Sequence, residues 1–364
     1  MKNVAVFFGG TSPEREVSCI TGVLTVNSID KNKYNAIPVF IDGDGKWYSG
    51  EILRDLDFYK NKDYKKLIPI TLLQGDNKLY SIKKGKLKEF CVLSSVINCL
   101  HGEGGEDGSL YGIIKNCDIA FASPNLFASA VSMDKIHTKK VLKGIGVNTL
   151  PYFIVETDTS LDQDFGLNFP LIVKPALGGS SIGVNKAENK EQLVRAVNYA
   201  LKFGSRAIIE PLLTDFIEIN CAVYTGKNGK IILSECERPL ARDKVLSFSD
   251  KYENGGRVFP ADIPKSLSNK IKEISEKVYR ELDFLGTIRI DYLVENGKVY
   301  LNEINAVPGS LSYYLFNESL SAFTDSLTEQ IEYSEYLYSR EKTVVKKYSS
   351  GILSGYGAKG AKRL

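Results

Sequence analysis

The sequence predicts an α/β (α+β) protein, and three observations carry this reading. Val4–Phe8 is a buried-type strand that runs into Gly9-Gly10 and a helix start at Ser12-Pro13. Val96–Leu100 repeats the pattern ahead of the glycine-rich run His101–Gly108. Ile288–Val294 and Val299–Asn305 are β-branched and aromatic runs flanking Asn296-Gly297, a hairpin signal. With 364 residues, 43% hydrophobic and 25% charged, the chain has room for two or three domains and a substantial core. No apolar run approaches bilayer length, and the N-terminal one is too short for a signal peptide. Six scattered cysteines without a Cys-x-x-Cys pair read as reduced thiols, so a cytoplasmic location is expected.

The first helix is expected from about Pro13, with Ser12 as N-cap and Pro13 at the first helical position. A helix N-terminus beside a glycine turn is a ready site for an anion or small polar ligand, although many α/β turns share that form. A second strand follows near Ala36–Ile41. Trp47–Phe90 is polar and Lys-rich and reads as a peripheral elaboration of the first domain. After Val96–Leu100, four glycines in seven residues let backbone approach a ligand closely, and Asp107 or Ser109 can cap the next helix. His101 stands where that strand meets its loop, the end of an α/β sheet at which ligands bind.

Ser129–Lys135 leads a helix that carries Lys135, Lys139 and Lys140. Phe169–Pro175 is a strand with Lys174 at its end, followed by the Gly/Ser loop Leu177–Val184. Because the lysine precedes the glycines, this is not a P-loop. Its amides and the hydroxyls of Ser180 and Ser181 can still fold over phosphates, with Lys174 as a point charge beneath. Ala207–Leu213 is a strand stopped by Pro211, which leaves backbone groups that a purine edge can pair with. Phe216–Asn220 follows, then the polar Ser247–Arg257, which reads as a lid loop. Helices are expected over roughly Pro264–Leu282 and Ser321–Tyr338. From Glu341 to Leu364 six Lys/Arg face one Glu, so the tail carries +5 of a net charge of +3 and the remainder −2. Rich in Gly, Ser and Lys and weakly periodic, it reads as a flexible tail and not as a nucleic-acid or membrane patch.

The hairpin holds the chemistry, and its register decides which side chains meet. A two-residue turn pairs Asp291 with Asn302 and turns Glu303 away. A three-residue loop, Asn296–Lys298, pairs Asp291 with Glu303 and Arg289 with Asn305, so the bulged loop is expected. Two carboxylates and an amide oxygen on one rigid face suit hard divalent cations carrying nucleotide phosphates. The plain alternative, a solvated hairpin face, is weakened by the turn Ala306–Ser310 directly after the ligand candidates.

Arg289-Ile290-Asp291, Asn302-Glu303-Ile304-Asn305-Ala306-Val307-Pro308-Gly309 and Ser132-Met133-Asp134-Lys135 together resemble the D-alanine–D-alanine ligases, which are ATP-grasp enzymes. The likeness runs from about residue 3 to 325 through several motifs in the right order. It implies an ATP-grasp fold with an N-terminal Rossmann-like substrate domain (1–122), a central ATP-grasp domain (123–213) and a C-terminal metal-binding and catalytic ATP-grasp domain (214–340), before the tail (341–364). It further implies that Asp291, Glu303 and Asn305 hold two Mg²⁺ ions bridging ATP phosphates, with Mn²⁺ as a substitute. Lys135 and Lys174 would neutralise phosphates, with Gly179, Ser181 and Lys251 also in the ATP site. Glu210 and Leu213 would meet adenine, and Glu218 the ribose. Glu14 would bind the ammonium of the first D-alanine, locked by Ser180 and Tyr252. Arg289 and the Gly309 amide would stabilise the tetrahedral intermediate, while His101, Ser310 and Tyr314 line the acceptor site.

The implied reaction is γ-phosphoryl transfer to a carboxylate, then attack by an amine on the acyl phosphate to give dipeptide, ADP and phosphate for peptidoglycan precursor synthesis. D-Alanine and ATP are the implied partners, with a homodimer and neither nucleic acid nor membrane. After Gly309 the family usually continues with Met-Thr and later Ser-Leu. Here Ser310-Leu311-Ser312-Tyr313-Tyr314-Leu315-Phe316 puts Tyr314 where that serine stands, which leaves D-serine or another amino acid open as acceptor. The pair Lys251-Tyr252 resembles amine-accepting members and not those that form the D-lactate ester. A nucleotide-binding protein without catalysis is a further alternative, opposed by the intact set Asp291, Glu303, Asn305, Lys135, Lys174 and Arg289.

Overall fold

The computed structural model describes residues 1–61, 63–240, 256–317, 319–345 and 349–356. The first sheet is organised on β1 (Lys2–Gly9), which pairs in parallel with β2 (Tyr34–Ile41) on one side and β6 (Lys86–Asn98) on the other. Between them in the chain come α1 (Arg15–Ser28), β3 (Trp47–Ser49), the short α2 (Asp57–Asn61), β4 (Ile68–Leu72) and β5 (Lys78–Lys83). The stretch expected as a peripheral elaboration thus supplies three antiparallel strands running from β2 round to the outer half of β6. After α3 (Ser109–Asn116), β7 (Ala120–Phe121) adds in parallel beside β6.

The first helix starts at Arg15, two residues later than Ser12-Pro13 implies. The Ser12 hydroxyl donates to the His101 carbonyl (2.6 Å) and accepts the Glu14 N–H (3.2 Å), so it caps a turn and not the helix. Glu14 is thereby left at the mouth of α1. Gly9 permits the approach: at φ +94° a Cβ there would meet the Ile41 carbonyl oxygen at 2.3 Å.

α4 (Leu126–Met133) and α5 (Lys135–Gly144) divide what reads in the sequence as one helix. Asp134 takes extended backbone and caps α5, accepting the amides of Ile136 and His137. A second sheet follows, with β8 (Phe153–Glu156), β9 (Leu171–Pro175), β10 (Asn185–Ala187) and β11 (Arg206–Pro211) antiparallel in the order β10-β9-β11-β8. It is packed by Leu193, Ala196, Val197 and Ala200 of α6 (Lys190–Ala200).

The third sheet has β12 (Ile217–Thr225) and β13 (Ile231–Leu233) joined to a hairpin of β16 (Ile288–Glu295) and β17 (Lys298–Asn305), in the order β13-β12-β16-β17. A small ribbon of β14 (Arg238–Leu240) and β15 (Gly256–Val258) flanks it. α7 (Lys265–Glu281) buries Ile271, Val278 and Tyr279 against this sheet, each apolar side chain worth about 1.5–3 kcal/mol of transfer free energy. The last helix, α8 (Leu320–Lys342), returns to the first sheet, where Phe323, Leu327 and Ile331 share a core with Val4, Val6 and Phe8. It passes the expected end at Tyr338 into what reads as tail, and there Glu341 pairs with Lys115 and Lys342 with Asp118 (3.1 Å). This return presses the 306–315 segment against α1.

Candidate active site

β16 and β17 pair Asp291 with Glu303 and Arg289 with Asn305, the expected register, but reach it by another route. The turn has only two residues, Asn296 (φ +50°) and Gly297 (φ +74°), with Glu295 opposite Lys298. A bulge at Asn302 then restores the offset that a three-residue loop would have given. Ile288, Ile290, Tyr292 and Val294 enter the core with Val299, Leu301 and Ile304. Alternation therefore sends Arg289, Asp291, Glu303 and Asn305 to the other face.

A cleft of about 800 Å³, counted to its open mouth, is walled by the second and third sheets. Ile172, Lys174 and Leu213 line one side, Glu218, Leu293, Asn302 and Glu303 the other, with Lys135 of α5 and Gly179 and Ser181 of the approaching loop. The bulge is why Asn302 and its neighbour Glu303 both face the cleft. Lys174 Nζ lies 3.1 Å from Asn302 Oδ1 and 2.7 Å from Glu210. The N-terminus of α5 holds the chain between β9 and the Gly/Ser loop, through Lys135 N to the Ala176 carbonyl (2.9 Å), and the loop itself through Lys135 Nζ to the Gly178 carbonyl (2.6 Å). Glu210 does not meet the cleft as expected. Its side chain is 1% exposed, behind the wall, paired with Lys139 and Lys174.

The Ser180 hydroxyl donates to Glu14, joining the Gly/Ser loop to the mouth of α1 as the resemblance implies. Ser180 and Ser181 hold positive φ (51° and 58°), a conformation that non-glycine residues keep only where surroundings enforce it. Lys251 and Tyr252, and with them most of the lid at Ser247–Arg257, lie outside the described residues. Among the residues that the resemblance implies for the acceptor site, His101 is buried and its Nε2 lies 3.1 Å from Thr21 Oγ1. Burial, aided by the Arg289 cation, pushes its pKa down to about 4. Tyr314 stacks under the Arg257 guanidinium, 4.6 Å from its ring centre, and burial raises its phenol pKa. Ser310 follows Gly309 directly and opens a run of three left-handed residues.

Glu106 is a site residue that the sequence reading passed over. Its carboxylate accepts the amides of Gly102 (2.8 Å) and Val307 (3.0 Å), clamping the glycine-rich loop to the segment after β17. Burial raises its pKa to about 7; the two amides oppose the rise, and the Glu14 and Glu303 charges add to it. A carboxylate set among Gly102, Gly104, Gly105 and Gly108 was the available signal. Its folded-state pKa lies above the unfolded one, so its contribution to stability is present below about pH 4.5 and lost as pH rises towards 7. Glu106→Gln keeps one acceptor but turns an NH₂ towards an N–H donor. It should lower kcat/KM about 10- to 100-fold, the worth of a charge-assisted bond, and steady-state kinetics would check this.

Among the described residues no three His, Cys, Asp or Glu side chains converge as a ready metal cage. Asp291 is instead held by Arg289 (2.7 and 2.9 Å) and by the Asn305 amide (3.0 Å). The donors nevertheless fit a hard cation: two carboxylates and an amide oxygen on one face, beside a lysine-lined cleft.

Two antiparallel sheets closing on that cleft make this an ATP-grasp ligase. Residues 3–124 match the D-ala D-ala ligase N-terminus family and residues 141–330 the D-ala D-ala ligase C-terminus family. The D-alanine–D-alanine ligase of Thermosipho melanesiensis is 36% identical, over 91% of this chain and 93% of its own. The solved D-alanine–D-alanine ligase of Helicobacter pylori is 31% identical with a TM-score of 0.76, covering 91% of this chain and 98% of that one. The VanG D-Ala:D-Ser ligase of Enterococcus faecalis is 26% identical with a TM-score of 0.77, covering 93% and 98%. The chain belongs to the D-alanine–D-alanine ligase family.

Proposed function

We propose that this protein joins two D-alanines at the expense of ATP, through a D-alanyl phosphate, to supply peptidoglycan precursor. The observation that carries this reading is the meeting of Glu14 with Ser180 of the cleft loop, beside the Arg289–Asp291–Glu303–Asn305 face. A carboxylate is a poor electrophile until phosphorylated, so the work left to the protein is positioning and charge neutralisation. In this reading Glu14 holds the donor ammonium, and Lys135 and Lys174 neutralise phosphate charge, with Gly179, Ser181, Leu213 and Glu218 completing the nucleotide site. Arg289 and the Gly309 amide stabilise the oxyanion formed when the second amine attacks. Mg²⁺, which Asp291, Glu303 and Asn305 would hold, supplies further charge neutralisation for phosphoryl transfer. The three-domain division, the homodimer and a cytoplasmic location belong to the same proposal.

The test is mass spectrometry of products from purified protein, ATP, Mg²⁺ and D-alanine, with D-serine, D-lactate or L-amino acids in parallel tubes. D-alanyl-D-alanine from D-alanine alone is expected; absence of any ADP-linked dipeptide would overturn the proposal. Tyr314, packed under Arg257, favours one second reading, an acceptor other than D-alanine, and preferential mixed dipeptide with D-serine would select it.

A further inference from the structure

We propose that Thr21, on α1, is a positioning residue of the acceptor site, which fixes the tautomer of His101 and anchors the Ser310–Ser312 segment. This rests on the acceptor-site reading given above. The Thr21 side chain is fully buried, and its hydroxyl stands between two elements far apart in the chain. It accepts the Ser310 N–H at 2.9 Å and lies 3.1 Å from His101 Nε2. The Thr21 carbonyl is itself taken by the Thr25 hydroxyl (2.8 Å).

The tautomer follows from counting protons. His101 is neutral near pH 7, because burial and Arg289 oppose its protonation. One ring nitrogen therefore carries hydrogen and the other accepts. Were Nε2 the donor, Thr21 Oγ1 would take two hydrogens, from Ser310 and His101. Its own proton would then have no acceptor among the described residues, in a site where an unmade hydrogen bond is costly. With Thr21 as donor both bonds of its hydroxyl are made, Ser310 N–H to Oγ1 and Oγ1–H to Nε2, and no hydroxyl proton is stranded. His101 is then the Nδ1–H form, and Nδ1–H is the group it offers to an acceptor carboxylate. The same hydroxyl holds the first of three consecutive non-glycine residues at positive φ, Ser310 (51°), Leu311 (46°) and Ser312 (46°), a run that needs outside support.

Thr21→Val keeps the shape and removes both bonds; Thr21→Ser keeps both. The chain has only two histidines, so ¹⁵N-histidine NMR resolves His101 once His137→Gln assigns the other signal. Wild type and Thr21→Ser should show a single Nδ1–H pattern, and Thr21→Val a mixture of tautomers or the Nε2–H form. In kinetics the second, acceptor KM for D-alanine should rise about tenfold in Thr21→Val. The donor and ATP KM values should stay within about twofold and kcat within about threefold. If Thr21→Val keeps the single tautomer, or keeps the acceptor KM, the proposal is overturned. Equal damage to every parameter in both variants would also overturn it, because packing alone would then explain Thr21. Should Thr21→Val fail to fold by circular dichroism, Thr21→Ala carries the same readouts. The NMR result does not depend on turnover, so a tautomer shift in a protein that makes no dipeptide would sink the acceptor reading and not the tautomer assignment.

Discussion

Changing Asp291 to Asn should slow ADP formation at least about a thousandfold, roughly 4 kcal/mol of transition-state stabilisation, in a protein that still folds. The substitution preserves size and one acceptor, so the β16–β17 ladder and the core face of Ile290 and Tyr292 have no reason to move. What is lost is charge, and it is lost twice. A hard anionic donor leaves the face proposed to hold Mg²⁺. Arg289, whose side chain is 16% exposed, also loses the carboxylate that takes two of its hydrogen bonds, and with it the alignment needed at the oxyanion. A coupled ADP assay gives the rate and thermal unfolding the control. Wild-type turnover in Asp291→Asn would remove Asp291 from the metal set. Partial recovery with excess Mn²⁺ would assign the defect to the ligand, and no recovery would assign it to Arg289.

Much of this site was legible because its parts are local. The Asp291–Glu303 pairing could be read from two strands and an Asn-Gly turn, since alternation fixes faces once a register is chosen. The route to it could not. Asn296-Gly297 is a sound two-residue turn, and the bulge at Asn302 answers to contacts across the cleft, where Asn302 meets Lys174, 128 residues away. Lys174 and the Gly/Ser loop were legible for the same local reason. Glu106 and Thr21 were not, because their partners Val307 and Ser310 stand 201 and 289 residues downstream. Those contacts exist only because α8 carries the chain back to the first sheet. Glu210, implied by the resemblance to meet adenine, was equally opaque: its carboxylate is buried against Lys139 of α5 and Lys174 of β9, 71 and 36 residues upstream.

That pairing makes Lys139→Met the most damaging change expected away from the substrates. Lys139, Glu210 and Lys174 form a buried triad with side chains 5%, 1% and 12% exposed, and Lys139 also donates to the Leu150 carbonyl (3.2 Å). Burial alone would raise the Glu210 pKa, but Lys174 and Lys139 more than offset it and hold the group at about 2. Burial lowers Lys139 in turn, by more than Glu210 restores. With two cations facing one anion, Glu210 stays ionised at neutral pH. Removing Lys139 strips half of that compensation from a group that cannot reach water, which costs about 3–5 kcal/mol. Thermal unfolding should fall by on the order of 10 °C. The acid limb tells the same story: a depressed carboxyl stabilises above pH 4.5 and that stabilisation is lost as pH falls towards 2, so losing Lys139 should move the acid transition upward. Lys174 must then serve Glu210 alone and is drawn from the cleft, raising the ATP KM. Adding Glu210→Gln removes the stranded charge and should return most of the stability but not the ATP KM, since Lys174 would have lost the partner that aims it. A double variant no more stable than Lys139→Met would mean that the contacts of the Lys139 ammonium with the Tyr152 ring and the Leu150 carbonyl, and not its pairing with Glu210, hold this corner together.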